Sequence, residues 1–332
     1  MPILQDFRHT PGAHCGSTAL ADVARFHGLA FTEPQCFGIG EGLGLAVVEE
    51  SGGSPSHLLM GRSRTLERRF FENLGVPFGW VKEADDARAW EAARAAVDAN
   101  IPLLLRTDLH YLHYYKSKTH FTGHVVVLGG YDEERGEALL ADTQFPGLQS
   151  VQVADLARAR TSSHGMQPLR NHAFPVERLP APPDLAPVLR RAIAAQAREM
   201  LDGKDLGNAK TRILGMEHLA KSFPAWGGAP DWSWCARFAY QIIEKRGTGG
   251  GNFRKLYASF LSQSAATLPD LPLEAWASRM TEIAEAWTAL AEHLKALSEA
   301  NGPDGFEEAA ARMGRLAVME RAFFEEAAGV SP

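Results

Sequence analysis

The sequence predicts an α+β protein in two parts: a mixed domain with an antiparallel sheet over residues 1–180, and an all-helical domain over residues 188–330. In the first part, short apolar runs alternate with polar turns that contain glycine, which is the pattern of strands and hairpins. In the second part, apolar residues recur at helical spacing through several long segments. The length of 332 residues also fits two domains better than one hydrophobic core.

Composition and charge narrow the class of protein. A hydrophobic content of 45% with 22% charged residues is typical of a soluble globular protein. The net charge of −6 argues against general nucleic-acid binding, because no broad basic face is available for phosphates. No apolar run approaches the roughly 20 residues that cross a bilayer, and residues 1–8 lack the features of a signal peptide. We therefore expect a cytoplasmic protein without nucleic-acid or membrane partners.

The first predicted element is a helix that begins at a cysteine. The motif HCGSTAL occupies residues 14–20, and the apolar positions that follow keep helical spacing up to Gly28. Cys15 would then lie at a helix N-terminus, where unpaired N–H groups and the positive end of the helix dipole favour a thiolate. The sequence thus supplies a candidate nucleophile.

A predicted hairpin supplies the partners of this thiol. The segment GHVVVLGGYD at residues 123–132 is a strand that starts near His124, and ALLAD at residues 138–142 is a strand that ends in Asp142. With the turn centred near residues 133–134, antiparallel pairing places Asp142 beside His124, within one residue of register. A carboxylate there accepts the imidazole N–H and directs the other ring nitrogen at the thiol. Cys, His and Asp in this order, on a helix start and paired strands, are typical of papain-like enzymes.

Each of these residues also has an ordinary structural interpretation. A buried cysteine is usually a small hydrophobic residue, and a histidine at a strand start is usually a packed or surface residue. An aspartate after a strand usually forms a turn. Their occurrence together, in this order and with hairpin spacing, favours the catalytic interpretation.

We expect neither a metal nor a cofactor. The chain has three widely spaced cysteines, which predict no disulfide framework and no paired-cysteine zinc site: Cys15, Cys36 and Cys235. A group of histidines close in sequence lacks a spacing typical of zinc ligands: His110, His113, His120 and His124.

The segments between the first helix and the hairpin offer further candidates. CFGIGEGLG at residues 36–44 is either a tight structural loop or a wall of the active site into which Glu41 projects. Residues 63–74 are predicted to form a helix with a cluster of arginines, either a solvated face or a docking patch for an acidic carrier protein. A helix over residues 84–100 and a buried strand over residues 101–108 follow.

A loop rich in aromatic and polar side chains connects this strand to the His124 strand. It has the sequence LHYLHYYKSKTHF at residues 109–121. Because functional groups concentrate on loops held by a rigid scaffold, we expect it to bind substrate through Tyr111, Tyr114 and His120. Asp108, directly after the strand, is the strongest candidate for a substrate contact. The alternative is ordinary packing with exposed hydroxyl groups.

The second part of the chain begins after a set of prolines that would interrupt any helix or strand: Pro175, Pro180, Pro182, Pro183 and Pro187. Helices are predicted over residues 188–201, 209–223, 234–245, 252–264, 273–298 and 305–328. The segment GTGGGNFR at residues 247–254 lacks the Lys-Ser/Thr ending of a phosphate loop. It is either a flexible connector or a loop that reaches a ligand at the domain junction through Asn252 and Arg254.

These motifs together resemble a known family. The N-terminal domain of butirosin biosynthesis protein H is similar to the segments at residues 14–18, 36–42, 123–132 and 141–143. The helical second half, with GGGNFR at residues 249–254, is similar to the uncharacterised C-terminal domain that accompanies it. The resemblance covers most of the chain, and the motifs of the first half are its specific part.

The resemblance implies an acyltransferase on a papain-like scaffold. In that family an amino-acyl group passes from an acyl carrier protein thioester to an aminoglycoside amine. The matching positions imply Cys15 as nucleophile, His124 as base and Asp142 as its orienting partner. We therefore expect a carrier-protein donor and a small-molecule amine acceptor. The apolar helical half also leaves a homo-oligomer open.

One position departs from papain-like enzymes. Their oxyanion-hole glutamine lies six residues before the cysteine, where this chain has His9. A histidine N–H donates as an amide does, in one tautomer or when the ring is charged. We therefore expect the N–H of Cys15 to hold the oxyanion, with His9 as a second donor.

Two other functions remain open from the sequence. A cysteine peptidase or amidase would use the same residues with water as acceptor, because the acyl-enzyme is common to both reactions. A non-catalytic binding module would keep the scaffold without the chemistry.

Overall fold

The chain forms two compact units in the computed structural model, which describes residues 1–49, 52–164, 168–182 and 184–331. Unit 1 comprises Met1–Cys36 and Leu74–Ala181, and unit 2 comprises Phe37–Asn73 and Pro182–Pro332. The predicted α+β class is confirmed, with antiparallel sheets and a helical C-terminal region.

Helices and strands alternate in the first part of the chain, and helices dominate after residue 186. In chain order the elements are α1 (Cys15–Phe26), α2 (Glu33–Ile39), β1 (Leu43–Val48), β2 (Leu58–Arg62), α3 (Leu66–Asn73), α4 (Asp86–Asp98), β3 (Leu103–Thr107), β4 (His124–Asp132), β5 (Glu137–Ala141), β6 (Gln149–Gln152), α5 (Val153–Thr161), β7 (Ala173–Pro175), α6 (Ala186–Leu201), β8 (Ala209–Thr211), α7 (Arg212–Trp226), α8 (Trp232–Glu244), α9 (Arg254–Ser264), α10 (Leu273–Ser298) and α11 (Phe306–Ala327). Two short 3₁₀ turns, Leu109–Tyr111 and His113–Tyr115, lie between β3 and β4. Across the described residues, no helix is both long and apolar enough to span a membrane.

Unit 1 is built on a five-stranded antiparallel sheet with the strand order β6-β5-β4-β3-β7. Leu105, Val126 and Leu140 belong to a core that side chains of α4 and α5 complete. Helix α1 packs against β4. The first residue of α1, Cys15, is thereby brought within hydrogen-bonding reach of the first residue of β4, His124.

The predicted hairpin is formed by β4 and β5, with a different register from the expected one. The last pair joins Val127 to Ala141, and an irregularity after Leu128 shifts the register. Asp142 therefore lies just beyond the ladder. A bulge adds a residue to one strand only, so a register counted from the turn cannot anticipate it.

Unit 2 combines a three-stranded antiparallel sheet, with the order β2-β1-β8, and the helices α6 to α11. All six predicted helices are confirmed, with ends within about one helical turn of those expected. The small sheet was not predicted. It joins β1 to β8, with Val47 opposite Lys210, and so ties residues 37–73 to the second half of the chain.

The compact units cut the chain differently from the predicted domains. The division at 1–180 and 188–330 follows the chain, whereas residues 37–73 belong to unit 2 because β1 pairs with β8. Pairing between strands so far apart depends on packing rather than on local sequence pattern. The domain limits stay a prediction, and Pro183 lies outside the described residues.

The glycines of residues 37–44 have a packing role inside unit 2. A Cβ atom on Gly38 would lie 2.1 Å from the ring of Phe260, and one on Gly42 would lie 2.5 Å from the ring of Phe37. The ring of Phe37 stacks on that of Phe253, with centroids 5.5 Å apart and an interplanar angle of 4°. These contacts favour the structural interpretation of the glycine segment over an active-site wall.

Replacing Gly38 by alanine should destabilise the protein. Alanine is favoured over glycine in a helix by about 0.8–1 kcal/mol, but overpacking a closed core costs about 1–3 kcal/mol. Phe260 is fully buried and has no room to move aside. We expect a net loss of about 1 kcal/mol, and at most about 2 kcal/mol, in the free energy of unfolding, measured by urea denaturation.

Gly79→Ala is the matched control, because a Cβ atom there meets nothing within 4 Å. We expect its stability to equal that of the wild type. Equal stability of the Gly38 and Gly79 variants would contradict the packing role of Gly38.

Candidate active site

The first turn of α1 is fixed by a buried hydrogen-bond network around Cys15. His14 is the N-cap residue, and its side chain accepts the N–H of Ser17. The carboxylate of Glu33 accepts the backbone N–H groups of Ala13 and His14 and the hydroxyl of Ser17. Cys15 itself is 9% exposed. The network holds the thiol at the positive end of the helix dipole.

His124 and Asp142 form a buried ion pair. The Nε2 atom of His124 lies 2.9 Å from both carboxylate oxygens of Asp142, and both residues are 3% exposed or less. Since a carboxylate only accepts, Nε2 carries a hydrogen. The Nδ1 atom of His124 is then the ring nitrogen left for Cys15.

Two phenols complete the surroundings of Asp142. The hydroxyl of Tyr114 donates to Oδ2 of Asp142 at 2.6 Å, and that of Tyr115 donates to Oδ1 at 2.9 Å. The pKa of each phenol is raised, first by burial and then by the negative charge of Asp142. Both hydroxyls therefore stay protonated and act as donors. The ring of Tyr115 also stands edge-on to that of His124, with centroids 5.4 Å apart.

The thiol of Cys15 has a strongly lowered pKa. Burial raises this pKa, but the charge of His14 and then the hydrogen bond and charge of His124 outweigh it, so the net shift is well below the usual value. The thiolate is therefore the favoured form of Cys15.

The opposite shift occurs at His124. Burial lowers its pKa, whereas the charge and hydrogen bond of Asp142, followed by Cys15, raise it to about 10. The pKa of Asp142 is itself lowered: burial raises it, but His124 and the two phenols more than compensate. These shifts all favour the combination of a thiolate, an imidazolium and a carboxylate.

His9 is held by a second carboxylate. Its Nδ1 atom lies 2.5 Å from Oδ2 of Asp22, and its side chain is 2% exposed. The same carboxylate accepts the N–H of Thr10 and contacts Arg25. Among the residues that the structure describes, none accepts from or donates to Nε2 of His9. The role of His9 as an oxyanion donor stays a prediction.

Two family models match the chain, and together they cover most of it. Residues 14–143 match the model of the butirosin biosynthesis protein H N-terminal domain. Residues 154–327, just over half of the chain, match a domain of unknown function, DUF4872. The chain belongs to the butirosin biosynthesis protein H-like family. No curated protein matches it in sequence.

The N-terminal family match includes all three members of the triad and ends at Thr143. Thr143 donates its hydroxyl to Oδ1 of Asp142 at 3.0 Å. The catalytic roles of Cys15, His124 and Asp142 stay predictions, and their proximity is what the structure adds to them.

Asp108, the predicted substrate contact, is held inside the loop. Asp108 is fully buried, and its carboxylate accepts the N–H groups of His110 and Phe121, the hydroxyl of Ser162 and the Nδ1–H of His120. Its oxygens are occupied by the loop itself. Asp108 therefore shapes the loop, and its contact with substrate stays a prediction.

The remaining loop residues have different environments. Tyr111 packs under the guanidinium of Arg158, which lies 4.6 Å from the ring centroid. The ring of His120 stacks on that of His164, with centroids 3.6 Å apart. Tyr111 and His120 are half-buried and remain predicted substrate contacts. Tyr114, predicted to bind substrate, instead donates its hydroxyl to Asp142.

The predicted ligand contacts of unit 2 are internal ion pairs and packing contacts. Arg254 and Glu320 are fully buried, and two N–H groups of Arg254 donate to the carboxylate of Glu320 at 2.8 Å each. A third N–H of Arg254 donates to the carbonyl of Asn252, whose side chain is also fully buried. These bonds hold the start of α9 inside unit 2. The ligand contacts predicted at Asn252 and Arg254 stay a prediction.

Glu41 does not project into an open site. It is 2% exposed, accepts a hydrogen bond from Asn73 at 3.0 Å and pairs with Arg69 at 3.4 Å. Burial is the main reason that its pKa is raised. All three residues belong to unit 2, and the substrate contact of Glu41 stays a prediction.

Over the described ranges, no group of three or more His, Cys, Asp or Glu side chains is placed to hold a metal ion. Cys36 and Cys235 are fully buried, and burial is the main reason that the pKa of each thiol is raised. Neither resembles Cys15 in its electrostatics.

Sequence reasoning missed three residues of the site. They are His14, Glu33 and Tyr115. The sequence could have indicated His14, because a histidine at the N-cap position next to a candidate nucleophile places a second imidazole close to it. Glu33 and Tyr115 had none, because their contacts depend on how distant segments fold back.

We predict that Cys15 reacts with iodoacetamide at neutral pH far faster than Cys36 and Cys235. The pKa of Cys15 is lowered by its two histidines, whereas burial raises those of the other two thiols. Peptide mapping by mass spectrometry at several pH values measures the three rates separately. The Cys15 rate should be independent of pH through neutrality, because the thiolate is already formed. Equal rates at the three cysteines would contradict the thiolate assignment.

We also predict that Tyr115→Phe raises the pKa of His124 further. Loss of a phenol hydrogen bond, worth about 1.5–3 kcal/mol to a charged group, leaves Asp142 more basic, so the carboxylate holds the imidazolium more strongly. Titration of the His124 ring by NMR measures the shift. Tyr131→Phe is the control, because its hydroxyl donates to Asp98 and not to the site. A His124 titration that moves equally in both variants would exclude a specific role for Tyr115.

Proposed function

We propose that the chain is a cysteine acyltransferase of natural-product biosynthesis, working through an acyl-enzyme on Cys15 with an acyl carrier protein as donor and a small-molecule amine as acceptor. The observation that carries this proposal is the buried triad: the lowered pKa of Cys15, the raised pKa of His124 and the hydrogen-bonded anion of Asp142. A thiolate beside an imidazolium is the ground state from which nucleophilic acyl transfer starts. The family name supports the biosynthetic setting.

In the first half-reaction, the Cys15 thiolate attacks the carbonyl carbon of the carrier thioester. A new C–S bond forms, and the carbonyl oxygen becomes an oxyanion. The N–H of Cys15 and a ring N–H of His9 are the proposed donors to this oxyanion, and one such donor is worth roughly 2.7–4 kcal/mol in other enzymes. The bond to the carrier sulfur then breaks, and His124 gives its proton to the departing thiolate.

In the second half-reaction, the neutral His124 acts as a base. The acceptor amine attacks the acyl-enzyme carbon, and His124 takes the proton that the amine loses. The bond between the acyl carbon and Cys15 breaks, and its electron pair leaves on sulfur. The products are an amide and the original thiolate–imidazolium pair, so protons and charges balance over the cycle.

Aromatic rings around the triad support transfer to an amine over hydrolysis. The ring of Phe145 stands edge-on to those of Tyr114 and Tyr115, with centroids 5.1 Å and 4.9 Å away. Such a lining leaves little room for water next to His124 and keeps the acyl-enzyme for the amine. A papain-like arrangement of α1 against β4 is part of the proposal. Arg64 and Arg68, both exposed on unit 2, are the proposed contacts for the acidic surface of a carrier protein.

Intact-mass spectrometry with candidate acyl thioesters tests the proposal. We expect a covalent acyl adduct on the wild-type protein that is absent from Cys15→Ala, because the pKa of Cys15 is lowered whereas those of Cys36 and Cys235 are raised. Cys36→Ala is the matched control and should form the adduct normally. An adduct that persists in Cys15→Ala, or none with any thioester, would contradict the acyl-enzyme.

Adding amines to the acylated protein separates transferase from hydrolase. Formation of the amide at the expense of the free acid supports acyl transfer. Release of free acid at the same rate with and without amines would show a cysteine hydrolase instead. Lack of adduct together with unreactive Cys15 would favour a binding module.

A further inference from the structure

The sheet of unit 1 carries a row of basic side chains that the proposed reaction does not use. In β3, Arg106 pairs with Val125 of β4, and the next pair joins Thr107 to His124. The N–H of Arg106 donates to the carbonyl of His172 at 3.0 Å, so the pairing of β3 with β7 continues to His172. Arg106 and His172 therefore lie side by side on adjacent strands, at the end of the sheet where β4 begins.

Lys82 extends this row to the edge of the sheet. Val81 and Ala173 exchange two backbone hydrogen bonds, of 2.9 Å and 3.0 Å. The following residue, Lys82, then lies opposite His172, because antiparallel partners keep a constant sum of residue numbers. Lys82 is exposed, whereas His172 is buried. We call Lys82, His172 and Arg106 the basic row; it runs from solvent toward β4.

The basic row lies on the face of the sheet that α1 covers. Leu105 and Val126 belong to the core formed with α4 and α5. Because successive side chains of a strand point to opposite faces, Arg106 and Val125 point to the other face. Helix α1 packs against β4 on that second face, since α4 and α5 occupy the first.

The start of α1 lies at the same end of the sheet as the basic row. The backbone N–H of Gly12, just before α1, donates to the carbonyl of Thr143, just after β5, at 2.7 Å. At the other end of α1, the ring of His27 donates to the carbonyl of Val176, just after β7, at 2.9 Å. The helix therefore crosses the sheet diagonally, and its first residue, the proposed nucleophile, shares a face and an end of the sheet with the row.

Three cations act on the buried ring of His172. The N–H of Arg170 donates to Nδ1 of His172 at 3.1 Å, so the hydrogen of the neutral ring is on Nε2. Burial and then the charges of Arg106, Lys82 and Arg170 lower the pKa of His172 to about 4. The ring is therefore neutral at physiological pH, and it adds an N–H donor to a region of positive charge.

An aromatic ring borders the row. The guanidinium of Arg106 lies 5.8 Å from the ring centroid of Trp80, and the ring of His172 lies 6.5 Å from it. Trp80 is half-buried and in turn packs edge-on against Phe78. The basic row thus has an apolar surface beside it.

The carboxylates of the neighbouring turn have partners outside the row. Glu83 accepts a hydrogen bond from Arg88 at 2.9 Å, and Asp86 accepts one from Asn171 at 2.8 Å.

We infer that the basic row of Lys82, His172 and Arg106 binds the phosphate group of the acyl donor, and that Trp80 packs against the apolar part of the donor's arm. This inference rests on the proposed acyl transfer at Cys15, which makes the donor a thioester. Two cations and an N–H group offer a phosphate charge-assisted hydrogen bonds.

The position of the row suits a donor whose thioester and phosphate are joined by a long arm. Lys82 lies three strand spacings from β4, which is about 14 Å. A pantetheine arm has its thioester at one end and its phosphate at the other. The same phosphate occurs on the arm of a carrier protein and in a free coenzyme A thioester.

Isothermal titration calorimetry with phosphopantetheine and pantetheine, under reducing conditions and at low salt, tests the inference. We expect the wild-type protein to bind phosphopantetheine at least about tenfold more tightly, the effect of hydrogen bonds to a charged group. Lys82→Gln should remove most of this difference. Arg135→Gln is the matched control, because Arg135 is an exposed cation of unit 1 beside Asp132 and should leave the difference unchanged.

Equal affinities of the wild-type protein for the two compounds would overturn the inference, and so would a difference that Lys82→Gln leaves intact. Coenzyme A identifies the source of the phosphate. An affinity equal to that of phosphopantetheine indicates the arm of a carrier protein, and a much tighter one indicates a free coenzyme A thioester. Either result supports a phosphate site.

NMR titration of His172 in the wild-type protein is a test without substitution. A bound phosphate favours the imidazolium, so phosphopantetheine should raise the pKa of His172 and pantetheine should not. A pKa that neither compound changes would contradict binding at the row.

These experiments separate the inference from the proposed function. Acylation of Cys15 by thioesters, together with equal affinities for phosphopantetheine and pantetheine, would overturn the phosphate site and leave the function standing. Binding that depends on the phosphate and on Lys82, without acylation of Cys15 by any thioester, would do the reverse.

Discussion

A buried carboxylate, Asp142, sets the charge state of the whole site. It is 1% exposed, and an anion without water is stable only where hydrogen-bond donors replace the solvent. His124, Tyr114, Tyr115 and Thr143 supply those donors. The anion then holds His124 as an imidazolium, and the imidazolium helps to hold Cys15 as a thiolate. Asp142, His124 and Cys15 carry alternating charges, so the charge of each group depends on the charge of its neighbour.

Rigid elements bring these charges together. Strand β4 supplies His124, the end of β5 supplies Asp142, and the first turn of α1 supplies Cys15. Glu33, from α2, closes that turn by accepting two backbone N–H groups and a hydroxyl. A geometry fixed by helix and strand backbones varies less than one carried by loops, which is what a transfer reaction requires.

The motifs of unit 2 show that a sequence pattern specific to a family is not always a ligand contact. The glycines near residue 38 lie under aromatic rings, and Arg254 satisfies its charge internally with Glu320. The Nε1–H of Trp287 also donates to Glu320 at 2.6 Å. Breaking such a buried pair by removing one partner is costly, typically about 3–5 kcal/mol. These residues determine how unit 2 packs.

The sequence by itself determined the fold class and the six long helices of the second half, and it named Cys15, His124 and Asp142 as one candidate group. The periodicity of apolar residues and the spacing of turns are local properties of the sequence. The helices, the strand at His124 and the hairpin could therefore be predicted from it. Only the tertiary structure showed the bulge in the hairpin and the pairing of β1 with β8. Only the tertiary structure showed that Asp108 and Arg254 form hydrogen bonds with other side chains of the protein. It also decided that Tyr115 and Glu33 serve the site. Burial and hydrogen-bond partners depend on which distant segments meet, and a polar residue has the same letter whether it faces a ligand or another part of the chain.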